Sequence, residues 1–190
     1  MERPFIADQV FVQKDYTQYP LPRGDYEACT FEGCQFQKGF LDNQHFVDCN
    51  FVECDLTNSN IAHTVWNNVS FKNCKLLGLQ FDTSDTKLLE LDFSDCNLTL
   101  ASFYAMQMAK TSFAHSDLSQ VDFTETDLSE ADFSHCNLHQ AVFQQTILTR
   151  ANLTTAAHFS INPNENILKK ARFSDNNLQG LLRKYDIVVE

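Results

Sequence analysis

Glycine and proline are scarce in this chain, at five and four of 190 residues, so few chain reversals can rest on conventional glycine or proline turns. No apolar run approaches the roughly 18 residues of a membrane-spanning helix, and no basic segment followed by an apolar stretch marks a leader. A cytoplasmic protein without membrane association is expected. Basic residues are also few, 14 against 25 acidic ones, for a formal net charge of −11. General affinity for nucleic acid or anionic lipid needs a basic face, so direct nucleic-acid binding is not expected either.

What the chain does hold is 43% hydrophobic residues and 17 phenylalanines, enough for a packed core. In VDFTETDLSEADF, residues 121–133, Phe123, Leu128 and Phe133 recur every five positions, each preceded by aspartate. A helix face repeats at 3.6 residues and a strand face at 2, so neither template fits. The step continues as Phe93, Leu98, Phe103, Met108, Phe113 and Leu118, and beyond as Leu138, Phe143, Leu148 and Leu153. Upstream, a second run holds the same step from Tyr26 to Phe81 and extends back through Leu21, Tyr16, Phe11 and Ile6.

The two runs are out of phase by two residues. The polar DTSD, residues 82–85, suits an outward bulge there, which places a register shift near 82–86 and makes Leu88 the next inward centre. The position two before each centre is usually Ala, Ser, Thr, Val or Cys, and all seven cysteines fall on it: Cys29, Cys34, Cys49, Cys54, Cys74, Cys96 and Cys136. Free cysteine packs as a small apolar residue, so this phase also points inward. The other three phases are polar and face solvent.

These units, such as ADFSH at 131–135, ANLTT at 151–155 and CNLTL at 96–100, resemble the A-[DN]-[LF]-x-x repeat of the pentapeptide-repeat proteins over about residues 6–155 plus Phe173. The resemblance implies an all-β fold, a right-handed quadrilateral β-helix with four pentapeptides to a coil. Residues 20 apart, or 22 across the shift, then stack. Sorted in this way, one side becomes a column of Phe31, Phe51, Phe71, Phe93, Phe113 and Phe133. At about 4.8 Å per coil, roughly eight coils make a rod about 40 Å long. Residues 1–173 form this body, with an irregular coil at 156–170 where His158 takes a centre. Residues 174–190 form a capping helix with Ser174 or Asp175 as N-cap, Leu178, Leu181, Leu182 and Tyr185 on one stripe, and Ile187, Val188 and Val189 as an apolar tail.

A cysteine column continued by Ser116 and Ala156 is a packing column, and no CxxC supports zinc, so no metal or cofactor is expected. His115 and His135 form a surface stack. Side chains that fill the helix leave no interior pocket, so no catalytic residues are assigned and an enzyme is not expected. The carboxylates carry more information: residues 82–140 hold eleven acidic residues against Lys87 and Lys110. The candidate partner-binding face is Asp82, Asp85, Asp92, Asp95, Asp117, Asp122, Asp127 and Asp132.

Within the family, an acidic rod and the ending LQGLLRKYDIVV resemble the Qnr-like subset that protects bacterial type II topoisomerases from quinolones. That resemblance implies mimicry of duplex DNA toward DNA gyrase or topoisomerase IV. It also implies a homodimer through Leu178, Leu181, Leu182, Tyr185 and Ile187. The gram-negative members carry two projecting loops, for which only DTSD and the 156–170 coil offer counterparts. The competing expectation is a structural or scaffold protein that binds another protein by shape, with no topoisomerase role.

Overall fold

The computed structural model describes residues 3–185 and Ile187, and over them the chain winds as a parallel β-solenoid with four sides. On one side β1 (Phe5–Ala7), β3 (Asp25–Glu27), β5 (His45–Val47) and β7 (Val65–Asn67) stack as a four-stranded sheet. On the next, β2 (Val10–Val12), β4 (Thr30–Glu32), β6 (Asn50–Val52), β8 (Val69–Lys72) and β9 (Leu91–Ser94) form a five-stranded one. Every pairing is parallel, with Phe31 opposite Phe51 and Phe71 opposite Phe93. Elsewhere the coils meet through single bridges such as Ser112 to Asp132 and Asp117 to Asn137.

The scarcity of glycine is answered at the corners. The residue two after most inward centres takes a left-handed conformation, and among the described residues 25 positive-φ residues are not glycine. Asparagine, aspartate and histidine tolerate this region best, and Asn43, Asp48, His63, Asn73, Asp95 and His115 use it here. For other L-residues the conformation costs about 1–2 kcal/mol. Each corner is held by a ladder bond to the next coil, as when the His115 N–H donates to the Ser134 carbonyl at 2.8 Å.

Inside, the columns stack along the axis and meet edge-on across it. Phe113 lies 5.3 Å from both Phe93 and Phe133 in parallel stacks, and 5.6 Å from Phe103 and Phe123 edge to face. The small inward position has a second duty. Cys54 Sγ donates to the Phe31 carbonyl at 3.2 Å, Thr64 Oγ1 to Leu41 at 2.6 Å and Thr126 Oγ1 to Phe103 at 2.7 Å. A thiol or hydroxyl there satisfies a buried carbonyl one coil back.

Three local expectations change. The step of 20 persists to the Val65–Asp85 bridge, and Val69 already pairs with Leu91, so the extra residues enter at 86–90 and not at 82–85. DTSD stays in register: Phe81–Thr83 make a 3-10 turn and buried Ser84 accepts the Trp66 indole N–H at 3.1 Å. Leu88 therefore points outward, 65% exposed, while Leu89 packs against the core. In the coil after residue 156, His158 is an exposed corner at φ 62 and buried Phe159 fills the interior beside Phe173.

At the end, the capping segment is 3-10 helix, Asp175–Leu181 and Arg183–Tyr185. The Ser174 N–H donates to Asn177 Oδ1 at 3.0 Å, and Asn177 Nδ2 donates to the Leu153 and Ala156 carbonyls at 2.8 and 3.1 Å. Val188 and Val189 of the expected tail lie outside the described residues. Among those residues no helix is long and apolar enough to cross a membrane.

Candidate functional site

The eight aspartates do not share one side; they girdle the rod as a belt. Asp117, Asp122, Asp127 and Asp132 each precede an inward centre on four successive sides of one coil, and all four are half-buried. The repeat places them there because their Oδ1 atoms close the corner that follows. They accept the N–H groups of Ser119, Thr124, Ser129 and Ser134 at 2.9, 2.8, 2.9 and 3.2 Å.

Asparagine makes the same turn, as Asn97 does with the Thr99 N–H at 3.0 Å. The fold therefore asks for this geometry and leaves the charge open. The rungs above and below the ring are uncharged: Asp117 lies between Asn97 and Asn137, Asp122 between Ser102 and Val142, Asp127 between Gln107 and Ile147, and Asp132 between Ser112 and Asn152. Like charges stacked on adjacent strands repel, and this spacing avoids it. Asn137 and Asn152 even donate to Asp117 and Asp132, at 3.2 and 2.8 Å.

Below the ring, Asp92 and Asp95 are exposed, and Asp92 Oδ1 accepts the Ser112 N–H at 2.9 Å. Asp82 and Asp85 are half-buried on other sides; Asp85 accepts the Lys87 N–H at 3.0 Å. Glu125 and Glu130 project from corners of the belt.

The other candidates are structural. All seven cysteines are free and buried; burial pushes the Cys49 thiol up to about 11 and Cys136 up to about 12. Where hydrogen bonds from column neighbours lower Cys54 and Cys96, those residues are shut in the core, 1 and 3% exposed, without the access a nucleophile requires. His115 and His135 stack outside at 4.7 Å, and His158 Nδ1 bonds Asn137 Oδ1 at 2.9 Å. Among the described residues no cluster of histidine, cysteine and carboxylate could hold a metal ion.

At the C-terminal end Leu178, Tyr185 and Ile187 are 41, 49 and 55% exposed, whereas Leu181 packs on the core and Leu182 is half-buried. One feature escaped the sequence reading. From Glu90 through Lys110 and Glu130 to Arg150 one edge alternates in charge before ending on Lys170, a pattern visible only once residues 20 apart are placed side by side.

A sequence profile of the family described as pentapeptide repeats matches eight copies over residues 27–60, 49–85 and 116–154. No curated protein sequence matches the chain. Among solved structures, a trypsin-treated form of QnrB1, a plasmid-mediated fluoroquinolone resistance protein, superposes with a TM-score of 0.64 at 15% identity. That match covers 98% of this chain and 100% of that one. Full-length QnrB1 gives 0.63 at 15%, covering 96% and 100%. Similarity at this identity is a similarity of fold.

Proposed function

The chain belongs to the pentapeptide-repeat family, and from that premise we propose a non-enzymatic binding protein whose acidic belt occupies the DNA channel of a bacterial type II topoisomerase, DNA gyrase or topoisomerase IV. One observation carries this reading. The eleven acidic and two basic residues between 82 and 140 sit on about three coils, roughly 14 Å of axis at strand spacing. That is about one net charge per 1.5 Å, close to the 1.7 Å per phosphate of duplex DNA. A basic channel shaped for the duplex would attract such a rod by long-range steering, then hold it by complementary charge.

The test separates charge from fold. Replacing Asp117, Asp122, Asp127 and Asp132 together with asparagine keeps the corner bonds, since Asn97 makes the same one. The variant should melt within a few degrees of wild type yet bind gyrase about tenfold or more weakly at low salt, with a flatter salt dependence. Supercoiling assays with and without a fluoroquinolone read inhibition and protection. Binding that ignores both salt and the four substitutions would instead favour a scaffold that recognises its partner by shape.

The reading includes a homodimer through the C-terminal end. Leu181 is a poor probe of it because it packs on the core; Leu178 and Tyr185 are the exposed apolar groups there. At high salt, where contacts held by charge are released, Leu178→Asp should leave the rod folded and give monomers in sedimentation velocity while wild type stays dimeric; an unchanged dimer would rule out that contact.

A further inference from the structure

One corner of the rod is unlike the other three. Lys110, Glu130, Arg150 and Lys170 are its exposed left-handed corners, 20 residues apart, and exposed Glu90 on the coil before lines a hollow of about 250 Å³ together with Lys110. The Lys110 N–H bonds the Ser129 carbonyl, Glu130 bonds Thr149, and Arg150 bonds Lys169, at 2.8, 2.8 and 2.9 Å. From Glu90 to Arg150 the charges read minus, plus, minus, plus over about 14 Å, and Lys170 adds a second cation at the end of the column. Arg150 also reaches Glu130 at 3.3 Å. None of the equivalent columns on the other three corners alternates in sign. In a chain of net charge −11, this nearly neutral edge is a line along which two copies can approach without net repulsion, since in the antiparallel register Lys170 faces the uncharged Asn68 corner.

An alternating edge is complementary to itself when turned end for end. We propose that the edge joins two copies of this chain side by side and antiparallel, through a two-fold axis between the levels of Lys110 and Glu130. Lys110 then meets the second copy's Glu130, and Glu90 meets the second copy's Arg150, each pair occurring twice. Exposed ion pairs contribute little alone, and the same register brings an apolar contact.

Leu88, lifted outward by the two extra residues and 65% exposed, stands at the level of Glu90. Its counterpart level on the second copy holds a hollow of about 180 Å³ lined by Glu130, Thr149, Arg150, Lys169 and Lys170. That space accepts a leucine side chain, with the aliphatic stems of the basic residues as its walls. Between these points the edge is lined by Ala109, Ser129 and Thr149, small enough for close approach. The bulge at 86–90 thus has a role: it supplies the knob that the hollow receives. This dimer is independent of the topoisomerase reading.

Sedimentation velocity at micromolar concentration tests it by charge exchange. In a Leu178→Asp background, which removes any contact at the C-terminal end, the chain should dimerise at low salt and dissociate as salt rises. In that background Lys110→Glu and Glu130→Lys should each be monomeric, because each sets like charges opposite one another, and an equimolar mixture of the two should recover the dimer. Leu88→Ala should weaken the wild-type dimer about tenfold. Leu178→Asp distinguishes this contact from one at the C-terminal end and should leave it unchanged. A wild type that stays monomeric at low salt, a mixture that fails to recover, or association that responds only to Leu178→Asp overturns the proposal, and none of these results bears on gyrase binding.

Discussion

Phe113→Ala should unfold in urea with a loss of about 3–5 kcal/mol, the range for truncating a buried aromatic ring. Phe113 is fully buried and touches four rings, two stacked and two edge-on, so the deletion removes contacts in both directions of the core. Collapse around the hole is opposed by the backbone. The Phe113 N–H is tied to the Asp132 carbonyl at 2.9 Å and the Asp132 N–H to Thr111 at 3.0 Å, and those rungs fix the coil spacing.

Leucine already serves in this column at Leu153, which is fully buried, so Phe113→Leu should cost less than half as much. Because each coil leans only on its neighbours, the alanine variant should also broaden the transition, as one half of the rod uncouples from the other. A loss below about 1 kcal/mol for Phe113→Ala would mean that the columns are not close-packed.

Gly180→Val should detach the cap while leaving the belt folded. The glycine is buried against Phe159: a Cβ built there lies 2.9 Å from the ring Cζ and nearer still to two other ring atoms. The ring has little freedom to yield, since it is buried next to Phe173 with centroids 5.6 Å apart. Overpacking of this kind costs about 1–3 kcal/mol, and it falls on a short segment with few other anchors. The Gly180 carbonyl accepts the Ile161 N–H at 3.0 Å, so displacing the cap frees that amide as well. Hydrogen exchange should rise at Ile161 and across 174–185 while amides of 93–133 keep their protection. Unchanged exchange at Ile161 would mean that the segment is not what closes the end.

The period of five and the sorting into columns were legible because both are carried by large residues whose burial the sequence announces. The site of the insertion was not. DTSD looks like a loop by composition, but Ser84 falls on the small inward phase and hydrogen-bonds Trp66. The true insertion contains two adjacent leucines, of which only Leu89 faces inward. Phase outweighs polarity there. Counting alone puts His158 at an inward centre, whereas its tolerance of positive φ suits it to a corner. The belt was legible as charge but not as geometry: nothing in the sequence says that the carboxylates of Asp117 and its three companions bind backbone N–H groups. The alternating edge was hidden because its members are 20 residues apart and sit in the least distinctive phase of the repeat.

The ladder offset has a kinetic consequence. Rungs such as Phe31 to Phe51 and Asp132 to Asn152 join residues 20 apart, or 22 across the insertion, in a chain of 190 residues. The relative contact order is therefore roughly 0.1, within the range of fast-folding helical bundles and below that of most all-β domains. Each new coil needs only the one before it as a template. Winding can follow the chain as it leaves the ribosome, without waiting for a distant strand to be synthesised.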